Sequence, residues 1–147
     1  MLLLALSTAC AGLFCGAALY INLVEHPARV SAGAATALRV FAPSYRRASV
    51  LQGSLACAGS ALGFLAAWRL GDSATALAAA LFGAVVPYTL VVLFPTNKQL
   101  LDPALEPESA RTSALLRRWN ILHAVRTVLS AAAFGLLVWR LAGGRAL

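Results

Sequence analysis

Residues 118–141 read RWNILHAVRTVLSAAAFGLLVWRL, and this stretch is the strongest indication of the fold. It is long and apolar enough for a membrane-spanning helix, yet Trp119, Asn120, His123 and Arg126 stand in its first half. Trp119 and His123 are four residues apart and Arg126 follows after three, so these side chains share one helix face, with Asn120 at its edge. An imidazole and a guanidinium inside a spanning segment need a partner or a cavity. The stripe therefore predicts a functional site.

Composition places the whole chain in a membrane. Hydrophobic residues make up 61% of the 147 residues, charged residues make up 12%, and the mean hydropathy is +0.80. Four apolar stretches each approach or exceed the roughly 20 residues that a helix needs to cross a hydrocarbon core. We therefore predict an all-α fold, a four-helix transmembrane bundle that forms one domain over residues 1–147. The predicted spans are residues 2–24, 48–70, 74–94 and 119–141. No internal repeat stands out.

Positive charge is distributed unevenly between the two ends of the predicted bundle. One end holds Arg29, Arg39, Arg46, Arg47, Lys98, Arg111, Arg117 and Arg118, and the other holds Arg69, Arg140 and Arg145. The positive-inside rule then places the first and third connections in the cytoplasm and both termini outside. Topology and anionic headgroups account for the net charge of +7, so no nucleic-acid partner is expected.

Two further patterns concern packing. Val30, Ala34, Leu38 and Phe41 recur at helical spacing in the first cytoplasmic connection, which predicts a short interfacial helix there. Small residues recur on spans one and two, where they favour close helix approach and could also support an oligomer. They are Gly12, Gly16, Ser49, Gly53, Ala56, Ser60 and Gly63.

All four spans deliver polar side chains to the cytoplasmic end. Span one contributes Asn22, Glu25 and His26, span two Tyr45, Arg46, Arg47 and Gln52, and span three Thr96 and Asn97. Arg126 lies about 13 Å into its helix at 1.5 Å per residue, too deep for an unpaired guanidinium in lipid. We expect Glu25 to be its partner.

These segments together resemble the DUF1772 family of small four-helix membrane proteins, which includes fungal anthrone oxygenases. The resemblance rests on YINLVEHPAR at 20–29, PSYRRASVLQ at 43–52, PYT at 87–89, FPTNKQL at 94–100 and RWNILHAVR at 118–126. It covers nearly the whole chain. It implies oxidation of an apolar phenolic anthrone to an anthraquinone by dioxygen, without a cofactor or a metal.

A mechanism can be written on this resemblance. His123, Arg126 and Glu25 are the candidate catalytic residues, and the substrate-binding candidates are Trp119, Asn120, Asn97, Gln52, His26 and Arg46. A flat substrate would enter from lipid and stack on Trp119, while His123 removes the acidic methylene proton. Arg126 would stabilise the enolate that forms, because a cation at the developing charge lowers its energy.

Two alternatives remain open. Glu25, His26 and His123 contain the ligand types of a two-histidine, one-carboxylate iron site, which also suits oxygen chemistry. Glu25 and His26 are adjacent, however, and point about 100° apart on a regular helix, so chelation needs local unwinding. The other alternative is a non-enzymatic protein that binds a lipid headgroup or acts as a scaffold.

Overall fold

The computed structural model describes residues 1–143, and Arg145 therefore lies outside the described residues. Four long helices account for most of the described chain: α1 (Leu2–Ser31), α2 (Ala34–Leu70), α3 (Ser73–Leu100) and α4 (Ala110–Leu141). Each is long and apolar enough to cross a membrane. This confirms the predicted all-α four-helix class and supports an integral membrane protein. The helices extend past the predicted spans mainly at one end of the bundle, where α1 meets α2 and α3 leads into α4. This end, which carries the polar side chains predicted above, is called the polar end, and those side chains are called the polar cluster.

The helices form a ring in chain order. α1 packs against α2 and α4, and α3 packs against the same two helices. Close approach of α2 to both α3 and α1 depends on Gly59, because a Cβ there would lie 2.5 Å from a ring carbon of Phe82 on α3 and 2.7 Å from Cβ of Cys10 on α1. Gly63 is similarly tight against Ala79.

The small-residue prediction is correct at some positions and wrong at others. Gly12 faces Phe134, since a Cβ there would lie 2.9 Å from the ring. A Cβ on Gly16 or on Gly53 would meet nothing within 4 Å. Ser49, four residues before Gly53, is exposed as well. Ser49 and Gly53, the part of the α2 stripe nearest the polar end, therefore do not pack against another helix of the bundle.

The predicted short interfacial helix does not exist as a separate element. Residues 34–42 form the first turns of α2, which continues through Pro43 without a break. Ala37 and Phe41 are buried in the bundle at 0% and 1% exposure. Of the predicted stripe, Phe41 is buried and Ala34 and Leu38 pack half-buried against the same core, whereas Val30 is 39% exposed at the end of α1.

Two helices contain a π-helical segment at the polar end. Ile21–Glu25 in α1 and Thr89–Leu93 in α3 are each followed two residues later by a proline, Pro27 and Pro95. Proline donates no backbone hydrogen bond and its ring crowds the carbonyl four residues earlier, which falls within the π-helical segment in both cases. Such widened turns are frequent at functional sites.

The position of these segments shows that the bundle is made of two similar helical hairpins, contrary to the sequence-based expectation of no repeat. The two π-helical segments are 68 positions apart along the chain. RRASVLQ at 46–52 corresponds to RRWNILH at 117–123, and WRL at 68–70 to WRL at 139–141, both 71 positions later. The second hairpin thus has three extra residues between its helices, so no single period aligns both pairs.

Burial follows the same correspondence. Phe14 and its equivalent Phe82 are both fully buried, and their rings meet with centroids 5.4 Å apart. Gln52 and its equivalent His123 are buried at 2% and 1% exposure. The contact between α1 and α4 is therefore the counterpart of the contact between α2 and α3.

An ion pair closes the end of the bundle opposite the polar cluster. Oδ2 of Asp72 accepts hydrogen bonds from Nε of Arg140 at 2.7 Å, from the Thr75 amide at 3.1 Å and from the Thr75 hydroxyl. Burial alone would raise the pKa of Asp72, but the hydrogen bonds from Thr75 and Arg140 outweigh it and hold that pKa below its ordinary value. This carboxylate joins the α2–α3 turn to the end of α4.

Candidate functional site

The polar cluster surrounds a cavity of about 220 Å³ between all four helices. Its walls are mainly apolar. The polar and charged side chains that line it are Arg29, Ser44, Tyr45, Ser49, Gln52, Thr89, Asn97, Trp119, His123 and Arg126. Five of the nine residues singled out from the sequence are therefore brought together here: Gln52, Asn97, Trp119, His123 and Arg126.

Trp119 forms the aromatic centre of the site. Its ring centroid lies 4.7 Å from that of His123, 5.2 Å from that of His26 and 5.4 Å from that of Phe41. Its Nε1 donates a hydrogen bond of 2.8 Å to Oδ1 of Asn97. The indole is 6% exposed, so contacts from α1, α2, α3 and its own helix hold it in one orientation.

His123 is held by a side-chain network that crosses from α4 to α1. Its Nδ1 lies 2.7 Å from Oδ1 of Asn22, and this oxygen also accepts from the Thr127 hydroxyl at 2.6 Å. Nδ2 of Asn22 donates to the backbone oxygen of Asn120 at 3.1 Å and to its Oδ1 at 2.8 Å. A backbone oxygen only accepts, so the amide orientation of Asn22 is fixed. Nδ1 of His123 must then carry the proton, which leaves Nε2 as the basic nitrogen of the neutral ring.

Arg126 has a different partner from the one expected. Its Nη2 donates to Oε1 of Gln52 at 2.8 Å, and its Cζ lies 5.3 Å from the ring centre of Phe14. Glu25 instead pairs with Arg29, one helical turn along α1, at 3.4 Å and accepts from Ser44 at 3.0 Å. The expected pairing of Glu25 with Arg126 is therefore wrong, because the nearer arginine on its own helix takes the carboxylate.

The remaining sequence candidates do not line the cavity. His26 is buried at 3% exposure, and its ring contacts that of Trp119 at a tilt of 31°. Asn120 joins α4 to α1 through Asn22. Arg46 is exposed and does not line the cavity.

From the sequence, Arg29 was used only as a charge that sets the topology and was given no role in the site, although it is 8% exposed and its Cζ lies 5.8 Å from the ring centre of Trp119. Asn22 was named among the polar side chains of span one but was also assigned no function. Its position as an amide inside an apolar span, where an unpaired polar group is costly, was the signal for such a function. Phe41 carries no such signal.

Buried hydrogen-bond donors without a protein partner surround the cavity. They are Nε of Arg29, Nε2 of Gln52, Nδ2 of Asn97 and Nε of Arg126. The two amides are oriented unambiguously, because Arg126 and the Trp119 indole can only donate and so require the oxygen atoms of Gln52 and Asn97. Buried donors normally find acceptors, so the arrangement fits a ligand with acceptor or anionic oxygens.

The iron alternative does not fit this geometry. In residues 1–143, no three or more His, Cys, Asp and Glu side chains are grouped so that they could hold a metal ion. Glu25 is paired with Arg29 and Ser44, while the rings of His26 and His123 both contact Trp119.

The chain also matches the model of a known protein family. A family model described as anthrone oxygenase matches residues 41–136, which include Gln52, Asn97, Trp119, His123 and Arg126. No curated protein and no solved structure matches the chain.

Proposed function

The chain belongs to the anthrone oxygenase family, and from this premise we propose that it oxidises an apolar, phenolic substrate of the anthrone type with dioxygen in the cavity beside Trp119. The observation that carries the proposal is the set of four buried, unpartnered donors around a cavity that also contains an aromatic wall and a basic imidazole nitrogen. A tricyclic ketone with ring hydroxyls offers a flat apolar body and a few acceptor oxygens. The flat apolar body matches the mainly apolar wall of the cavity, and the acceptor oxygens match the donors that have no protein partner.

His123 is proposed as the general base. Its Nε2 would take a proton from the methylene carbon opposite the ketone, while Nδ1 keeps its own proton in the hydrogen bond to Asn22, so that the imidazolium formed is held in place. The electron pair left on carbon delocalises into the ketone and gives an enolate. Arg126, Gln52 and Asn97 would stabilise the enolate oxygen through the donors that have no protein partner.

Dioxygen is the oxidant, and the stoichiometry balances without a further reductant. The carbanion carbon forms a bond to one oxygen atom and, with the proton returned by His123, gives a hydroperoxide. Loss of the second hydrogen from that carbon forms the C=O bond while the O–O bond breaks and water leaves. One oxygen atom ends in the quinone and the other in water, so we propose that no cofactor takes part.

We also propose the orientation of the site. Most exposed arginines lie at the end that holds the cavity, so the positive-inside rule places the α1–α2 and α3–α4 connections in the cytoplasm and the termini outside. The cavity then lies in the cytoplasmic half of the membrane.

A second function is favoured by those same arginines. Arg46, Arg47, Arg117 and Arg118 are all exposed beside the cavity end, and such a cluster suits an anionic lipid headgroup. We favour the oxygenase, because the walls of the cavity are mainly apolar and its donors are few and directional.

The test measures oxygen uptake and quinone absorbance for the detergent-purified protein with an anthrone, after subtraction of spontaneous autoxidation. We expect His123→Ala to lower turnover by about 10²- to 10⁴-fold, the usual contribution of a general base. Arg118→Gln is the matched control, since Arg118 is exposed on the same helix. Uptake that survives a chelator and depends on His123 supports the proposal. Uptake lost to the chelator would favour a metal enzyme, and none above background would favour the headgroup role.

A further inference from the structure

We propose that the gap between α2 and α3 at the polar end is the entrance through which substrate reaches the cavity directly from the hydrocarbon region. In this proposal, Ser49, Gly53 and Leu90 determine which molecules can pass. The inference rests on the proposed function only for the choice of ligand.

The exposure of the cavity-lining residues locates the gap. On α1 and α4, every residue that lines the cavity is buried or half-buried. The lining residues that are also exposed lie only on α2 and α3: Ser49, Gly53, Leu90 and Phe94. Leu90 is 62% exposed and Phe94 is 38% exposed. A side chain that contacts both the cavity and the outer surface marks the place where the two meet.

The repeat supplies an internal comparison for this gap. At the equivalent contact between α1 and α4, Asn22 and Asn120 hydrogen-bond at 2.8 Å and close the interface. The positions that correspond to them in the other contact are Leu90 and Ser49. Leucine cannot form that bond, so the second contact lacks the polar connection that closes the first. Further along, Gly59 and Gly63 keep α2 and α3 close together, which confines the gap to one end.

The depth and chemistry of the gap point to lipid as the source of the ligand. Gly53 and Leu90 are each seventeen residues from the end of their helix at the α2–α3 turn, about 26 Å at 1.5 Å per residue. That distance lies within a hydrocarbon thickness of about 30 Å. The exposed residues at the gap carry no charge, and the guanidinium groups of Arg29 and Arg126 lie farther in. An apolar ligand can therefore move from the acyl chains to the donors without crossing a headgroup layer.

The chain offers a closely matched pair of variants. Gly53→Leu adds a side chain at the gap, and Gly16→Leu adds the same side chain on an exposed face of α1. A Cβ meets nothing within 4 Å at either position, so neither change disturbs helix packing directly. Both replace glycine within a helix and should raise helix propensity equally.

The readout is ligand arrival at Trp119, which does not require turnover. The chain has three tryptophans, and Trp68→Phe with Trp139→Phe leaves Trp119 as the reporter. Protein in phosphatidylcholine vesicles is mixed by stopped flow with vesicles that contain 9,10-anthraquinone, and quenching of Trp119 fluorescence is followed. We expect Gly53→Leu to slow quenching by about tenfold or more, and Gly16→Leu to leave the rate within about twofold of the parent protein, because only the first narrows the path.

The quenching experiment tests the entrance independently of the proposed reaction. Slower quenching in Gly53→Leu alone supports the entrance, even if the parent protein consumes no oxygen with an anthrone and the proposed function fails. Equal rates in both variants would overturn the entrance, and so would the absence of quenching in the parent protein. A double variant, Ser49→Asn with Leu90→Asn, copies the polar contact of the other interface and should slow quenching as well. Circular dichroism and gel filtration verify that each variant is folded.

Discussion

Nδ1 of His123 on α4 lies 2.7 Å from Oδ1 of Asn22 on α1. Asn22 belongs to the π-helical segment Ile21–Glu25, which Pro27 follows two residues later. Because the Asn22 amide is itself oriented by the backbone of Asn120, the contact determines which nitrogen of His123 is basic. A turn of helix that departs from α geometry thus places an amide oxygen where the proposed base needs it. Asn22 contributes through His123 and is a positioning residue.

Asn22→Ala should therefore lower kcat more than it raises KM. Without the acceptor, His123 can hold its proton on either nitrogen and its ring is free to turn, so we expect kcat to fall by about 10- to 100-fold. Thr127→Val tests whether this is only a structural effect. It removes another hydrogen bond to the same oxygen of Asn22 but leaves the contact with His123, so it should lower kcat much less. Equal losses in the two variants would argue against the positioning role.

Arg126→Met should separate activity from stability. The guanidinium is half-buried in a spanning helix, and Gln52 offers it a neutral oxygen instead of a carboxylate. Replacement by an apolar side chain of similar length removes that desolvation cost, which we expect to exceed the cost of leaving the Gln52 oxygen without its donor, and should stabilise the fold by about 1 kcal/mol. The same change removes the proposed enolate partner, so turnover should fall by about 10²-fold or more.

Thermal unfolding in detergent and oxygen uptake measure the two effects of Arg126→Met on one preparation. Arg118→Met provides the comparison, because its side chain is exposed. A variant that is less stable than the parent protein would show that Arg126 holds the bundle together and that its environment is already satisfied.

Much of the fold was predictable, and particular residues show where prediction from the sequence stops. Hydropathy was sufficient for the helix count, and the face shared by Trp119, His123 and Arg126 was sufficient to bring these three residues to one candidate site, the cavity that they line. The partner of Arg126 was not predictable, because helical spacing orders residues within one helix and does not fix the rotation of its neighbours. Glu25 looked available until Arg29, one turn away, was seen to take it.

The repeat was present in the sequence but was obscured by three extra residues in the second hairpin. Only the matching π-helical segments, Ile21–Glu25 and Thr89–Leu93, made the correspondence evident. Phe41 illustrates the opposite limit. It is an ordinary apolar residue whose contact with Trp119 depends on the whole arrangement of α2 against α4.

Gly59→Val should weaken the bundle where α2 meets α3. The new Cβ would lie 2.5 Å from a ring carbon of Phe82 and 2.7 Å from Cβ of Cys10, so helices or rings must shift. Overpacking of this kind costs about 1–3 kcal/mol. Gly53→Val is the control, since its Cβ meets nothing within 4 Å. Unfolding of both variants by sodium dodecyl sulfate in mixed micelles measures the difference, and equal stability of the two would contradict the tight contact at Gly59.

Acid should weaken the bundle through Asp72. The hydrogen bonds from Thr75 and Arg140 hold the pKa of this carboxyl group below its ordinary value of about 3.9, which it regains when the chain unfolds. Between the two values the unfolded chain binds more protons than the folded one, so the stabilisation is complete above the ordinary value and is lost as pH falls through the folded value. Melting temperatures measured in detergent from about pH 6 to pH 2 should therefore fall less steeply for Asp72→Asn than for the parent protein. The variant should also melt lower at neutral pH, because Arg140 loses its anion. Parallel pH profiles would mean that Asp72 does not contribute to the acid response.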